Sequence, residues 1–491
     1  MRTLYFLSIM ILLCGLAGCS LGNNRENSLD KDKEIECISD SGPSNDQDNN
    51  EVLDSINPQE ENTQEELGPT SEEENVINIW SLMGDFTSVI NVFIKAHPDF
   101  PYEIRITDLS QASYSYEVAL NDTLTNGSEI FGLDMPDIYP VEMSYAFKYT
   151  QGDSYQYAAD YKDLAIDVDR LLKEASIPQY FIDLCTSPEG KLVGLGYENT
   201  SGAFIYRRSI AKDVWGTDDP SAIEAIIGPG WERFFEAAEE LKEKNYGICS
   251  GVFDIWHSVA NSANQGWIVD DKLYIDPKRE EFLEYAKILK ENDYTNNTIQ
   301  WTDEWYLDMK GQGGKEIFGF FGPSWFVNYI MSTYSGGGTL GEGTYGDLAI
   351  CKPPVGFFWG GTVVLAHKDT KYKEAVGEII KWLTLDTSET GFQYLWASGE
   401  DLDMGKGVPL SATVAKDLEA RLDILGGQDM FELYTSAAKF VRGDNLSVYD
   451  ENIDGFWRSN IIEYIEDRKS SDQVIADFKQ AVDNYFDRIL E

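Results

Sequence analysis

The chain has 491 residues, of which 42% are hydrophobic and 13% aromatic, and its 39 Lys+Arg against 85 Asp+Glu give a formal charge of −46. Such a length and apolar content suit two or three folded domains, while the charge excludes the basic footprint needed to bind nucleic acid or to dock broadly on anionic lipid. Three histidines (His97, His257, His367) and six scattered cysteines, with no C-x-x-C or H-E-x-x-H spacing, argue against a transition-metal enzyme, and neither a metal nor a cofactor is expected.

In chain order, Arg2 precedes an apolar stretch from Leu4 to Leu13 that is too short to span a bilayer. Leu16-Ala17-Gly18-Cys19 follows and looks like a bacterial lipobox, whose small residues admit the peptidase and whose cysteine takes the lipid. Residues 1–18 therefore read as a lipoprotein signal peptide, and Cys19 as the lipidated mature N-terminus. No later stretch approaches 18 uninterrupted apolar residues, so this lipid is the one expected attachment, on the extracytoplasmic face of the cell membrane. Cys37, Cys185, Cys249 and Cys351 would meet an oxidising environment there, and their spacing leaves any disulfide pairing open.

Residues 19–75 hold 17 acidic and 3 basic residues and no aromatic one. Too little apolar area is present to offset the entropy of ordering, so this segment reads as an acidic disordered tether. Flexible-coil scaling gives it a reach of about 40 Å.

Alternating apolar residues from Val76 to Trp80 predict a strand, followed by an amphipathic helix from Thr87 to about Ala96 that closes at His97-Pro98. A second strand is expected from Tyr102 to Ile106, which completes a βαβ unit, and Asp137-Ile138-Tyr139 reads as a further strand end. Later strand-like runs are Leu192 to Leu195, Ala203 to Tyr206, Tyr246 to Ser250, Ile317 to Phe321 and Thr362 to Ala366. Helical patterns occupy Trp231 to Lys244, Arg279 to Glu291, Lys371 to Leu383, Ala415 to Leu425 and Asp472 to Leu490. Strands alternating with helices mean an α/β fold, in which ligands sit beyond the carboxyl ends of strands.

Several phrases carry a resemblance when taken together and in order. They are Ile79-Trp80, His97-Pro98-Asp99, Met135-Pro136-Asp137-Ile138-Tyr139, and Gly190-Lys191-Leu192-Val193-Gly194-Leu195-Gly196. Ala203-Phe204-Ile205-Tyr206-Arg207-Arg208, Gly230-Trp231-Glu232, Gly322-Pro323-Ser324-Trp325 and Trp359-Gly360-Gly361 follow. From Val76 onward the chain resembles the extracellular sugar-binding lipoproteins of ABC importers, the family 1 solute-binding proteins. The resemblance implies a two-lobed periplasmic-binding-protein-like fold, each lobe a sheet flanked by helices, with a three-segment hinge. One lobe would comprise 76–198 plus 359–405 and the other 199–358 plus 406–491. The hinges would lie near Asn199 to Gly202, Trp359 to Thr362 and Gly405 to Pro409.

A pyranose has an apolar C–H face and a rim of hydroxyls, so its site needs flat aromatic surfaces beside Asp, Glu or Asn. Trp231, Trp382 and Trp396 lie on helical patterns among apolar neighbours and read as core. Trp80, Trp256, Trp325 and Trp359 lie at or just after strand ends beside Gly, Ser or Asp. By resemblance Trp325 is the foremost stacking candidate, with Asp254 and Trp256 as an acid and an aromatic on one loop. Trp80 with Asp85, Tyr139 with Glu142, Trp359, Trp267, Glu198 and Asn199 complete the expected site.

Two other patterns are distractors. Asp450-x-Asn452-x-Asp454-Gly455 begins like a calcium loop but has Ile461 at the twelfth position instead of Glu, so a plain turn is expected. The glycine run from Gly336 to Gly346 lacks the Gly-Lys-Ser/Thr ending of a phosphate loop and reads as a surface loop. The resemblance thus implies a monomeric binding protein, not an enzyme, that captures a neutral oligosaccharide and delivers it to an ABC permease. Two alternatives stand beside it. One is a surface carbohydrate-active enzyme, with Asp254 and Glu142 as its carboxylate pair; the other is a binding protein for a cationic ligand such as a polyamine.

Overall fold

The computed structural model describes residues 75–399 and 406–490. The leader, Cys19, Cys37 and the acidic segment lie outside the described residues, as does Gly405 in the expected third hinge.

Two sheets organise the chain. The first has the order β2-β1-β3-β10-β4, built from β1 (Val76–Ser81), β2 (Glu103–Asp108), β3 (Ile138–Glu142), β4 (Gly194–Leu195) and β10 (Thr362–Ala366). β1 runs parallel to β2, with Val76 opposite Glu103, and parallel to β3, whereas β10 is antiparallel to β3, with Thr362 opposite Glu142. Ile77, Ile79, Trp80 and Ser81 of β1 are all buried, as expected for a parallel strand covered on both faces. Helix α1 (Gly84–Ala96) covers it with Phe86, Val89, Ile90 and Phe93, an i, i+3, i+4, i+7 stripe. The helix ends at His97, before a proline that has no N–H to continue it. Helix α2 (Tyr116–Asn126) packs in the same core.

The second sheet is antiparallel, in the order β8-β5-β9, formed by β5 (Ala203–Arg207), β8 (Gly319–Gly322) and β9 (Leu348–Cys351). Strand alternation divides β5 between two cores: Phe204 and Tyr206 face one, Ala203 and Ile205 the other. Helices α3 (Trp231–Glu243) and α4 (Pro277–Glu291) lie in the former core, and α5 (Asp303–Met309) in the latter. A small hairpin of β6 (Ile268–Val269) and β7 (Lys272–Leu273) lies apart from both sheets. Helices α6 (Lys373–Thr384) and α7 (Phe392–Ser398) return to the first core, and α8 (Asp450–Ile465) and α9 (Ser471–Leu490) to the second.

The chain thus passes between the sheets from β4 to β5, from β9 to β10, and between α7 and Val408. The three crossings are hydrogen-bonded to one another. Asn199 N–H donates to the Val408 carbonyl at 2.9 Å and Leu410 N–H to Tyr197 at 3.0 Å. Gly202 N–H donates to Phe357 at 2.7 Å and Trp359 N–H to Thr200 at 3.1 Å. At Gly202 a Cβ would stand 2.1 Å from the Phe357 ring, so only glycine permits this approach.

Some expected elements are altered. Tyr246 to Ser250 is not a strand: Gly247 makes one bridge to Ile317, and beyond it the chain turns, with Ser250 N–H and Gly251 N–H donating to the Asp254 carboxylate. The expected helix from Ala415 to Leu425 divides into a helix at Ala412–Asp417 and a short turn at Asp423–Leu425. The cause is Asp429, whose carboxylate takes the Ala420 N–H that a helix would have used. Asp450 to Gly455 is helical and not a turn, being the start of α8, and among the described residues no group of acidic, His or Cys side chains is placed to hold a metal. Cys185, Cys249 and Cys351 are buried free thiols. No described helix is long and apolar enough to cross a membrane.

Candidate functional site

Where the crossings meet the second sheet, aromatic side chains gather around Trp359. Trp325 meets it edge-on at 5.2 Å and 69°, and His257 stacks on it at 4.4 Å and 26°. Trp301 approaches at 5.7 Å and 68°, and Phe326 at 6.0 Å. Trp359 and Trp301 remain partly exposed. Trp325 follows β8 through Pro323-Ser324, and its indole N–H donates to the Trp359 carbonyl at 2.9 Å. Burial, with the Arg458 charge second, pushes the His257 imidazole down to about 3, so a neutral ring stacks on Trp359 at neutral pH.

Carboxylates border this shelf. Glu142 ends β3 and accepts the Ser144 N–H at 2.7 Å. Gly360, at a φ of 66°, lies between the acid and the indole: a Cβ built there would stand 3.4 Å from Glu142 Oε1 and 3.4 Å from Trp325 Nε1. Glu198, in the first crossing, accepts from Ser324 Oγ at 3.0 Å. Burial, reinforced by the nearby Asp85 charge and opposed by the Ser324 bond, raises Glu198 to about 8. Burial also raises Asp85, in the first turn of α1, and Glu142. Glu451 of α8 is raised to about 7 by burial and then by the Glu142 charge. None of these four acids forms an ion pair among the described residues.

Glu198 supplies a pH prediction. Its ordinary value is 4.5 and its folded value about 8, so the folded state holds the proton more tightly. The stability from this group is complete below the ordinary value and is lost as pH rises through the folded one. The melting temperature should fall between about pH 4.5 and 8, and Glu198→Gln should flatten that fall; an unchanged profile in the variant would place the titration elsewhere.

Of the expected site residues, Asp85, Glu142, Glu198, Trp325 and Trp359 lie around the shelf, although Trp325 keeps only 9% exposure and packs in the core as well. The others are corrected. Trp80 is fully buried beneath α2, edge-on to Tyr116 and donating to the Asp134 carbonyl, and Tyr139 is fully buried in the same core. Trp256 packs on Phe282, and Trp267 lies under the Arg279 guanidinium with its N–H on Asp454. Asn199 uses its side chain within the fold: its oxygen accepts the Ser201 N–H of the same crossing and its amide donates to the Tyr434 carbonyl on the helix Met430–Ala437. Asp254 is buried, and its oxygens accept from Ser250 N–H, Gly251 N–H and the Trp305 indole. Both oxygens are thus engaged within the protein, and Asp254 braces the loop from its buried position.

His257, Trp301 and Glu451 were not foreseen. His257 and Glu451 lie on helical segments whose local pattern gives no sign of the shelf. Trp301 has one local sign: it stands just before Thr302-Asp303, the start of α5, where a side chain is free to turn outward.

No protein-family model matches the sequence, and no curated sequence matches it significantly. Solved structures do. A family 1 extracellular solute-binding protein superposes with a TM-score of 0.67 at 16% identity, over 84% of this chain and 99% of its own. The sugar-binding protein MalE from the phytopathogen Xanthomonas citri gives 0.61 at 13% identity, over 84% and 97%. The galacto-N-biose/lacto-N-biose I-binding protein of the ABC transporter from Bifidobacterium longum, in complex with lacto-N-biose, gives 0.59 at 15% identity, over 83% and 96%.

Proposed function

We propose that this chain, which has the two-lobed fold of the extracellular solute-binding proteins, captures an oligosaccharide in the cleft between its lobes and passes it to an ABC permease. The observation that carries this reading is the shelf of Trp359, Trp301 and Trp325 bordered by Asp85, Glu142, Glu198 and Glu451. It offers flat apolar faces beside acidic side chains that form no ion pair among the described residues, matching the two kinds of surface that a pyranose presents to its site. No bond is broken. Lobe 1 would comprise 76–198 plus 359–405 and lobe 2 199–358 plus 406–491, hinged at the three crossings. A ligand that touches both lobes only when they are closed favours the closed form by that difference in affinity. Lipidation at Cys19 would hold a monomer on the extracytoplasmic face of the membrane, where the permease reads the closed shape.

The unpaired acids also favour a second reading, a cationic ligand such as a polyamine seated among aromatic faces. A glycan array followed by calorimetry on the strongest hits separates the readings. Saturable binding of an oligosaccharide with no shortened products on incubation is the expected result. Binding of spermidine alone would establish the second reading, and cleavage of the glycan would overturn both.

A further inference from the structure

Ten described non-glycine residues have positive φ, and nine of them are Ser, Ala, Asn or Asp, side chains small enough or polar enough to tolerate it. The tenth is Trp301, at 72°. A bulky aromatic residue in the left-handed region is a strained outlier that surrounding structure must impose, and such outliers cluster at binding sites. The imposing contacts are visible here. Thr302 directs both its N–H (3.2 Å) and its hydroxyl (2.7 Å) at the Ile299 carbonyl, closing a tight turn. Within that turn Gln300 is buried and its side chain bonds to the braced Asp254, so it points inward. Trp301 is thereby turned outward, partly exposed, against Trp305 at 5.3 Å and Trp359 at 5.7 Å. Ile299, which opens this turn, and Leu307, on α5, are themselves 55% and 43% exposed.

We propose that Trp301 is a ligand-stacking residue, held in strain so that its indole walls the cleft beside Trp359. The inference rests on the saccharide reading above and adds to it a wall that lengthens the aromatic surface from Trp325 through Trp359 to Trp301. Such a wall suits a ligand of more than one sugar ring.

The test uses the full chain and the oligosaccharide found by the array, with Trp301→Asn and Trp301→Phe. Asn accepts positive φ, so the first variant removes the indole and the strain together. Expected for Trp301→Asn are a melting temperature within about 3 °C of the parent and an affinity about tenfold weaker. Trp301→Phe, which keeps an aromatic face, should recover most of that affinity. Unchanged affinity in Trp301→Asn would overturn the inference while leaving the saccharide reading intact. A large drop in melting temperature, with affinity no better in Trp301→Phe, would also overturn it and assign Trp301 to packing. A parent protein that binds no glycan would overturn the saccharide reading, and this inference with it.

Discussion

Trp325→Ala is expected to lower folding stability by about 3–5 kcal/mol, the range for truncating a buried aromatic side chain. The indole keeps 9% exposure, packs on Phe326 and Trp359, and holds the Trp359 carbonyl through its N–H. Its removal leaves a cavity in the core beneath the second sheet and takes away the donor to that carbonyl. Chemical denaturation of the parent and variant measures the loss. The resemblance implies instead a stacking residue in an open cleft, where truncation would spare the fold. A cost below about 1 kcal/mol would place Trp325 in the cleft and remove it from the core. Affinity should fall as well, because the same ring reaches the Gly360 gap opposite Glu142.

Arg279→Ala should cost a similar amount for a different reason. Arg279 is 1% exposed, pairs with buried Asp450, donates to the Gln265 and Asn445 carbonyls, and lies 4.6 Å over the Trp267 ring. Taking away one partner of a buried pair leaves the other charge without compensation, at about 3–5 kcal/mol. Burial raises Asp450 to about 6 even with Arg279 opposing it. Without Arg279 the Asp450 carboxyl moves further up and holds its proton to higher pH, so the penalty in Arg279→Ala should be smallest below about 6 and grow as pH rises above it. Denaturation at pH 5 and pH 8 tests this; equal penalties at both would mean that lost packing on Trp267, not the stranded carboxylate, is the cause.

The opening βαβ unit was legible because its two periods differ. Alternating residues in β1 and the four-residue stripe of α1 cannot be mistaken for each other. Placing Trp231, Trp382 and Trp396 in the core also follows from local pattern, and all three are buried. The same reasoning failed for Trp80, Trp256 and Trp267 because a strand or loop end gives no direction to a side chain. What draws Trp267 inward is Asp454 on α8, 187 positions along the chain, together with Arg279 on α4. The Asp254 brace was unreadable for a similar reason. Its neighbours Ser250 and Gly251 are local, but its meaning depends on Trp305, 51 positions away. Local periodicity reports which face of an element is apolar; it does not report which carboxylate will be spent holding a loop.

The cross-links between the connecting segments bear on how the lobes bend. Glu198 is bridged to Pro409 and Ser201 to Phe358, in antiparallel fashion, so the connections form a narrow ribbon and not three independent loops. If the lobes close on a ligand, a ribbon of this kind would act as a leaf spring, yielding through a small twist shared along its length and not through the swivel of a single peptide. Gly202, at the end of the first expected hinge, acts as a spacer that lets the leaves lie flat against Phe357. A Cβ there would stand 2.1 Å from the Phe357 ring, so a bulkier residue has to push the leaves apart before they can bend together at all.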